Sequence, residues 1–491
     1  MKGLVLTILL SLVTISTNNP VQAQCPTPRA ADDACEATRT EYKECDSATR
    51  DEEAAERFVR EQVLAGKAVK LSDKTGKKVR GCFIRDLLIR KGPTPQVGIM
   101  IDGAIIDGPI DLRNAEIPYH VELTHCTFLD DVNLKRSHFL KGLSFSSSHF
   151  GSGLHGPGRL DAESATIDKD LDLGDCVFNN CLTFFKGLQV GVDWSVKGAK
   201  FAGSADFTGI NVGGNFFAVR DDNDRQTEFH GSADFESAKV GVDAGFNNAI
   251  FDDWVNFGSA EFNNLSIEET SFNNDVDFRG TTINDFYLCD SKDEKPADRF
   301  KKCLTIEDMS FRYMSPEDWD KLQGFLAKSN DQQHQSSYSA QFYASLEDQF
   351  RRHGRPDQAD DIYIAGREKE RQGFSWDHRL ISWFEDWSIG YGRHLERLLF
   401  PWSLVFLLTG CIVFWGEENM KTKKPEDEAC YKGTYKPFWY TLDAFLPIIH
   451  LGEADVWTPK QRWRIRWRYV HTIVGNLFVP IGLAALTGII R

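Results

Sequence analysis

Residues 249–283 read AIFDDWVNFGSAEFNNLSIEETSFNNDVDFRGTTI. Bulky apolar side chains recur at Phe251, Phe257, Phe262, Ile267, Phe272, Phe278 and Ile283, in steps of five or six residues. An amphipathic helix would place such groups three and four apart, and a flat amphipathic strand would place them two apart for several cycles. Neither produces this spacing, so a corner must intervene at each step. Two residues before several of these positions the side chain is small, as at Ala249, Ala260 and Thr270. The physical solution is a square coil. Each of its four short sides points one bulky and one small residue inward, and each coil stacks on the one below to bury a continuous core.

The same ladder runs earlier through Ile101, Ile106, Leu112, Ile117, Leu123, Phe128, Leu134, Phe139, Phe145 and Phe150, and again through Phe201, Phe207, Val212, Phe217, Phe229, Phe235, Val240 and Gly245. Four steps sum to 21 or 22 residues. Ala199-Lys-Phe201-Ala-Gly and Ala260-Glu-Phe262-Asn-Asn resemble the pentapeptide-repeat family, whose motif is a small residue, then Asp or Asn, then Leu or Phe. Here Phe largely replaces Leu. The resemblance implies a mainly β fold, a right-handed quadrilateral parallel β-helix over residues 95–288, followed by an α-helical hairpin and two transmembrane helices. Seven or eight coils stacked at the strand spacing would form a rod about 35 Å long. Interruptions are expected near Gly151 to Glu163 and Arg220 to Gln226. Cys126, Cys176 and Cys181 occupy small inward positions and read as buried thiols, while Gly203, Asn273 and Asn274 read as corners.

The rest of the chain frames this ladder. Residues 1–23 carry one Lys, an apolar run from Leu4 to Ile15 and then Val21-Gln22-Ala23, which reads as a cleavable signal peptide because the run is about half the ~20 residues a span needs. Gln24 stands where lipidation at Cys25 would require a small residue. Residues 24–94 form a Cys-containing cap region with Cys25, Cys35, Cys45 and Cys82, and Cys289 and Cys303 bracket the far end of the ladder. Export permits disulfides here, with connectivity open. Residues 289–397 read as a helical linker or cap. Ser315-Pro-Glu-Asp318 opens it, and helices at Tyr338 to Arg352 and Pro356 to Gln372 meet at His353-Gly354-Arg355 as a hairpin. This segment resembles the linker of bacterial membrane-bound pentapeptide-repeat proteins. With 491 residues, a formal net charge of −15 and a pI near 5.3, the chain lacks the basic face a nucleic-acid binder needs.

Residues 398–491 read as a membrane module. Leu398 to Trp415 is free of charge, and Tyr469 to Ile490 forms a second apolar run interrupted by His471, Asn476 and Pro480. Ten Lys or Arg residues, from Lys421 to Arg468, lie between them. The positive-inside rule assigns that loop to the cytoplasm, which puts the β-helix in the periplasm and the spans in a bacterial inner membrane. Trp457, Trp463 and Trp467 are expected at the membrane interface. The apolar stretch 438–451 is too short to span and is expected to lie in the interface or re-enter. Thr441-Leu-Asp443-Ala-Phe445-Leu-Pro447, His450-Leu-Gly452 and Ala485-Leu-Thr487-Gly488 resemble the membrane module of bacterial pentapeptide-repeat membrane proteins, some of which are described as channel-like.

Two functions follow as expectations. The first is a non-enzymatic envelope scaffold that holds a periplasmic solenoid at the bilayer for a protein or cell-wall partner. The alternative is a homo-oligomeric ion channel, in which segment 438–451 is a pore loop and Asp443, His450, Glu453, His471 or Asn476 face water. In the first reading His471 and Asn476 satisfy each other or backbone groups. Ser388-Ile-Gly390-Tyr-Gly392 looks like a potassium filter but precedes the first span, where a filter cannot work. No hydrolase elbow, phosphate loop, zinc motif or dinucleotide fingerprint is present, so no catalytic, cofactor or metal residues are assigned. Asp161, Glu163, Asp170 and Asp172 cluster near one interruption and read as solvated charge rather than a glycosidase pair.

Overall fold

The computed structural model describes residues 48–71, 77–89, 98–151, 158–179, 182–289, 296–328, 339–424, 428–446 and 450–487. The expected signal peptide, Cys25, Cys35, Cys45 and Cys181 lie outside them. The chain divides into two compact units, Met1–Arg355 and Pro356–Arg491.

The first unit is β-solenoid-like: three stacked parallel sheets, one of 16 strands and two of nine. Most strands are two residues long, and from Ile99–Asp102 to Asn211–Val212 each pairs in parallel with the strand four places on. Thr127–Phe128 pairs with His149–Phe150, which pairs with Val177–Phe178, which pairs with Lys200–Phe201. The pairing begins where Val69 meets Ile101 and ends where Ser315 meets Tyr287, so the ladder extends beyond the expected 95–288 at both ends. The far end was obscured because Phe300 continues the ladder against Phe272 only after an interposed segment.

Local chemistry explains why so short a strand turns. At each of many corners the N–H of the small inward residue donates to the carbonyl of the bulky residue three before it, as in Ala199 to Val196, Ala238 to Phe235 and Ala260 to Phe257. The residue before the small one has a positive φ, for example Ser237 at 57° and Ser259 at 55°. Gly and small polar residues adopt that region at least cost, and Ser, Asn, Asp and Gly take most of these places, with His125, Arg136 and Glu269 as larger exceptions. The residue preceding the bulky side chain is often Asp or Asn, and its carboxylate or carbonyl oxygen accepts from the turn N–H two residues on. Asp206 does so from Thr208 (2.9 Å), Asp234 from Glu236 (3.0 Å) and Asn256 from Gly258 (2.8 Å). The small-polar-bulky motif is therefore a turn with its own side-chain cap.

Inside, the bulky residues stack. Phe128, Phe150, Phe178, Phe201, Phe229, Phe251, Phe272 and Phe300 form one column with successive centroids 4.6 to 5.2 Å apart. Phe185, Phe207, Phe235, Phe257 and Phe278 form a second. Each buried ring contributes about 1.5–3 kcal/mol by leaving water. Cys126 and Cys176 are buried in the small positions as expected. Two ladder assignments are corrected. Phe216 is the inward residue and Phe217 faces outward beneath Lys197, because Phe216 pairs with the buried Trp194 and strand period two then turns its neighbour away. Gly245 pairs with Phe217 and is outward for the same reason, with Ala244 and Phe246 buried on either side. The corner residues Asn273 and Asn274 donate their amides to Asp252 and Asp253 of the preceding coil at 2.8 and 2.7 Å.

Both ends of the unit are covered. Helix α1 (Arg50–Leu64) opens with a reciprocal capping box between Thr49 and Glu52. Helix α2 (Gly81–Leu88) buries Phe83, Ile84, Leu87 and Leu88. Cys82 and Cys303 are each disulfide-bonded. At the other end α3 (Trp319–Lys328) and α4 (Ala340–Arg352) lay Phe325 and Phe342 against Phe300 and Phe311.

The second unit is helical. It comprises α5 (Pro356–Gln372), α6 (Trp376–Ile389), a 3-10 turn at Leu395–Leu398, α7 (Trp402–Val413), α8 (Pro437–Phe445) and α9 (Arg462–Leu486). Strands Met420–Thr422 and Trp457–Pro459 pair antiparallel. Leu395–Val413 and Arg462–Leu486 are long and apolar enough to cross a membrane.

Candidate functional site

The five polar residues singled out in the apolar C-terminal region do not form one constellation. Asp443, on the last turn of α8, holds the loop that follows. Its two carboxylate oxygens accept from the backbone N–H groups of Leu451 and Ala454, both at 2.7 Å. This caps the one-turn helix Glu453–Val456. A carboxylate so engaged is a loop anchor. Glu453 is half-buried; burial pushes its carboxyl above the ordinary range, with Lys436 opposing and Asp443 adding to the shift. His450 is exposed.

His471 lies where three helices cross. It is fully buried, its Nε2 is 3.2 Å from the Thr441 carbonyl of α8, and its ring packs against Phe445 and Phe414. Gly410 of α7 makes that approach: a Cβ there would fall 2.5 Å from Thr441 Cγ2 and 2.7 Å from His471 Cε1. The buried stripe of α9 continues through Gly475, Val479 and Gly482, at helical spacing on one face. A Cβ on Gly475 would stand 1.9 Å from the Phe445 carbonyl oxygen, so α8 and α9 touch backbone to backbone. Asn476 is exposed, on the side of α9 away from this stripe. Of the two expected arrangements, His471 meets a backbone carbonyl, that of Thr441, and does not meet Asn476: five residues apart on a helix, the two point to different faces.

Segment 438–451 begins as α8, whose Tyr440, Thr441, Ala444 and Phe445 are buried. Residues 447–449 lie outside the described residues. Tyr440 joins Phe414, Met420, Tyr435 and Trp457 in a small core against which Trp467 packs. Trp457 was expected at the interface and is instead nearly sealed inside this core, since its strand carries it inward against Tyr435. Trp463 is exposed as expected. Sequence reasoning missed this core because its members come from the end of the first apolar run, the connecting loop and α8 and share no periodicity; the aromatic residues at 435, 440 and 457 were the signal.

The filter-like Ser388-Ile-Gly390-Tyr-Gly392 is a helix stop. Gly390 adopts φ 54° at the C-terminus of α6 and donates to the Asp386 carbonyl, while Tyr391 Oη meets Ser382 Oγ at 2.8 Å. The carboxylates near the first solenoid interruption are dispersed. Asp161 and Asp172 sit on different sheets and cap separate turns, and Glu163 pairs with Lys135. Among the described residues no cluster of His, Cys, Asp and Glu could hold a metal ion. Comparison with protein families, with curated proteins and with solved structures finds no match for this chain.

Proposed function

We propose that this chain is a non-enzymatic, membrane-tethered envelope scaffold. In this reading a signal peptide exports the chain, the solenoid is a right-handed, four-sided coil of the pentapeptide-repeat type standing in the periplasm, and α7 and α9 hold it in the inner membrane. The observation that carries the tether is the outward surface of those two helices: Leu404, Leu408, Ile412, Ile473 and Leu477 are each more than half exposed, which is unfavourable in water and favourable in lipid. The scaffold role is supported by the solenoid surface, where acidic side chains such as Asp206, Asp234 and Asp252 cap turns or bridge coils and leave polar sides for a protein or cell-wall partner. The capping role of Asp443 argues against a pore lined by it.

The test is accessibility in intact cells to a membrane-impermeant maleimide. A cysteine replacing the exposed Lys239 on the solenoid is expected to react at once, and the native, exposed Cys430 of the loop only after permeabilisation. The opposite pattern sinks the proposed topology. Discrete conductance in planar bilayers that changes on Asp443→Ala would replace the scaffold with a channel.

A further inference from the structure

The helix α6, Trp376–Ile389, has a surface that its own unit leaves bare. Trp376, Leu380, Trp383, Phe384 and Trp387 are each more than half exposed. Their spacing places them on one arc of the helix, while Ser382 and Ser388 are buried and Asp386 is bound by Arg371 at 3.1 Å. Ser382, Ser388 and Asp386 thus face the protein while this aromatic arc faces away, and the polar Asp377, His378, Arg379 and Glu385 are exposed beside it.

Two features say what covers that side. First, it is continuous with the apolar surface of the adjoining span. The indole of Trp402, the first residue of α7, packs edge-on against Trp387 at 4.4 Å, and its Nε1 donates to the Ser388 carbonyl at 3.0 Å. Exposed Phe400 and Leu404 extend the same surface. Secondly, the helix cannot run on into the span. Gly390, Tyr391 and Gly392 all have positive φ, which breaks the axis before α7 begins. Three tryptophans suit the headgroup boundary, where an indole keeps its ring in the apolar region and its N–H in the polar one.

We propose that α6 is an in-plane anchor whose aromatic side lies in the headgroup region of the lipid bilayer, fixing the angle at which the first span leaves the membrane. This rests on the reading of α7 and α9 as membrane spans. The test uses the full chain labelled with fluorotryptophan in lipid nanodiscs, with the Trp376, Trp383 and Trp387 signals assigned by single Trp→Phe variants. Lipid carrying a nitroxide near its headgroup is compared with a water-soluble gadolinium chelate. The three signals are expected to be lost more strongly to the nitroxide lipid, while Trp194, buried in the solenoid, survives both. Stronger loss to the chelate, or loss to neither, overturns the proposal; loss to neither means that protein, such as a second copy, covers the helix. Trp415 and Trp463, exposed at the ends of the two spans, separate the causes of failure. If they also escape the nitroxide the membrane reading has failed, and if they alone respond the error is confined to α6.

Discussion

The side-chain amide of Gln349 lies across the backbone of Met314, accepting from its N–H at 2.8 Å and donating to its carbonyl at 2.9 Å. Met314 sits on the last strand of the ladder, beyond which no further strand pairs among the described residues. A buried glutamine from α4 thus stands in for the missing strand and closes an edge that would otherwise recruit another chain. Gln349→Ala leaves both backbone groups buried and unpaired, which costs about 1–3 kcal/mol. Hydrogen exchange should show the amides of Ser310–Ser315 losing protection first; unchanged protection there would assign the capping to α4 packing alone.

Phe201 lies mid-column, stacked at 4.7 and 4.8 Å on Phe178 and Phe229. Phe201→Ala removes both contacts and leaves a cavity that rigid neighbouring coils cannot fill. We expect a loss of about 3–5 kcal/mol, read as a lower denaturant midpoint of the first unit. Phe201→Leu should recover much of that loss.

Burial holds the Asp234 carboxyl above its ordinary range, and Asp206 in the same column adds to the effect. A raised acid value means that ionisation costs stability as pH rises through the folded-state value, and that this cost is absent below the unfolded-state value, about 4. Asp234→Asn keeps the oxygen that accepts from Glu236. The variant should melt higher than wild type at pH 7, with the difference shrinking as the pH falls toward 4. A variant that melts lower at pH 7 would show that the charge is needed for the turn.

Gly475→Ala places a methyl group against the Phe445 carbonyl and must part α8 from α9. In detergent the variant should melt at lower temperature, and Thr472 should lose its 2.8 Å bond to the Ala444 carbonyl. Gly433→Ala is an uncrowded comparison by space alone, but its φ of 84° makes it a backbone control instead.

The thiols should react in two classes. Burial pushes Cys126 up to about 12 and raises Cys176 further, so neither presents a thiolate, whereas Cys430 is exposed. Maleimide at neutral pH should modify Cys430 in the native protein and reach Cys126 and Cys176 only on unfolding, as mass spectrometry of peptides would show.

The stacked parallel sheets were legible because two independent constraints repeat in the sequence: a bulky group for the interior and a small or polar group that can turn. Where both signals weaken, reading fails. The Phe216-Phe217 doublet offers two bulky candidates for one inward place, and only pairing with Trp194 chooses between them. The C-terminal polar residues were legible as unusual but not as placed, because one residue along a helix changes the face entirely. His471 and Asn476 show this, as does Asp443, whose partners are backbone amides that no side-chain pattern reveals.

Gly151 and Gly158 lie side by side although they are seven positions apart in the sequence: an added Cβ at Gly158 would stand 2.4 Å from the Gly151 nitrogen. Phe150 and Phe178, 28 positions apart, stack at 4.9 Å, against 4.6 Å for Phe229 and Phe251, which are 22 apart. The solenoid therefore measures distance in turns and not in residues. Chain can be added at such a corner while the rings on either side keep their spacing, so the ruler and what its corners carry can vary independently.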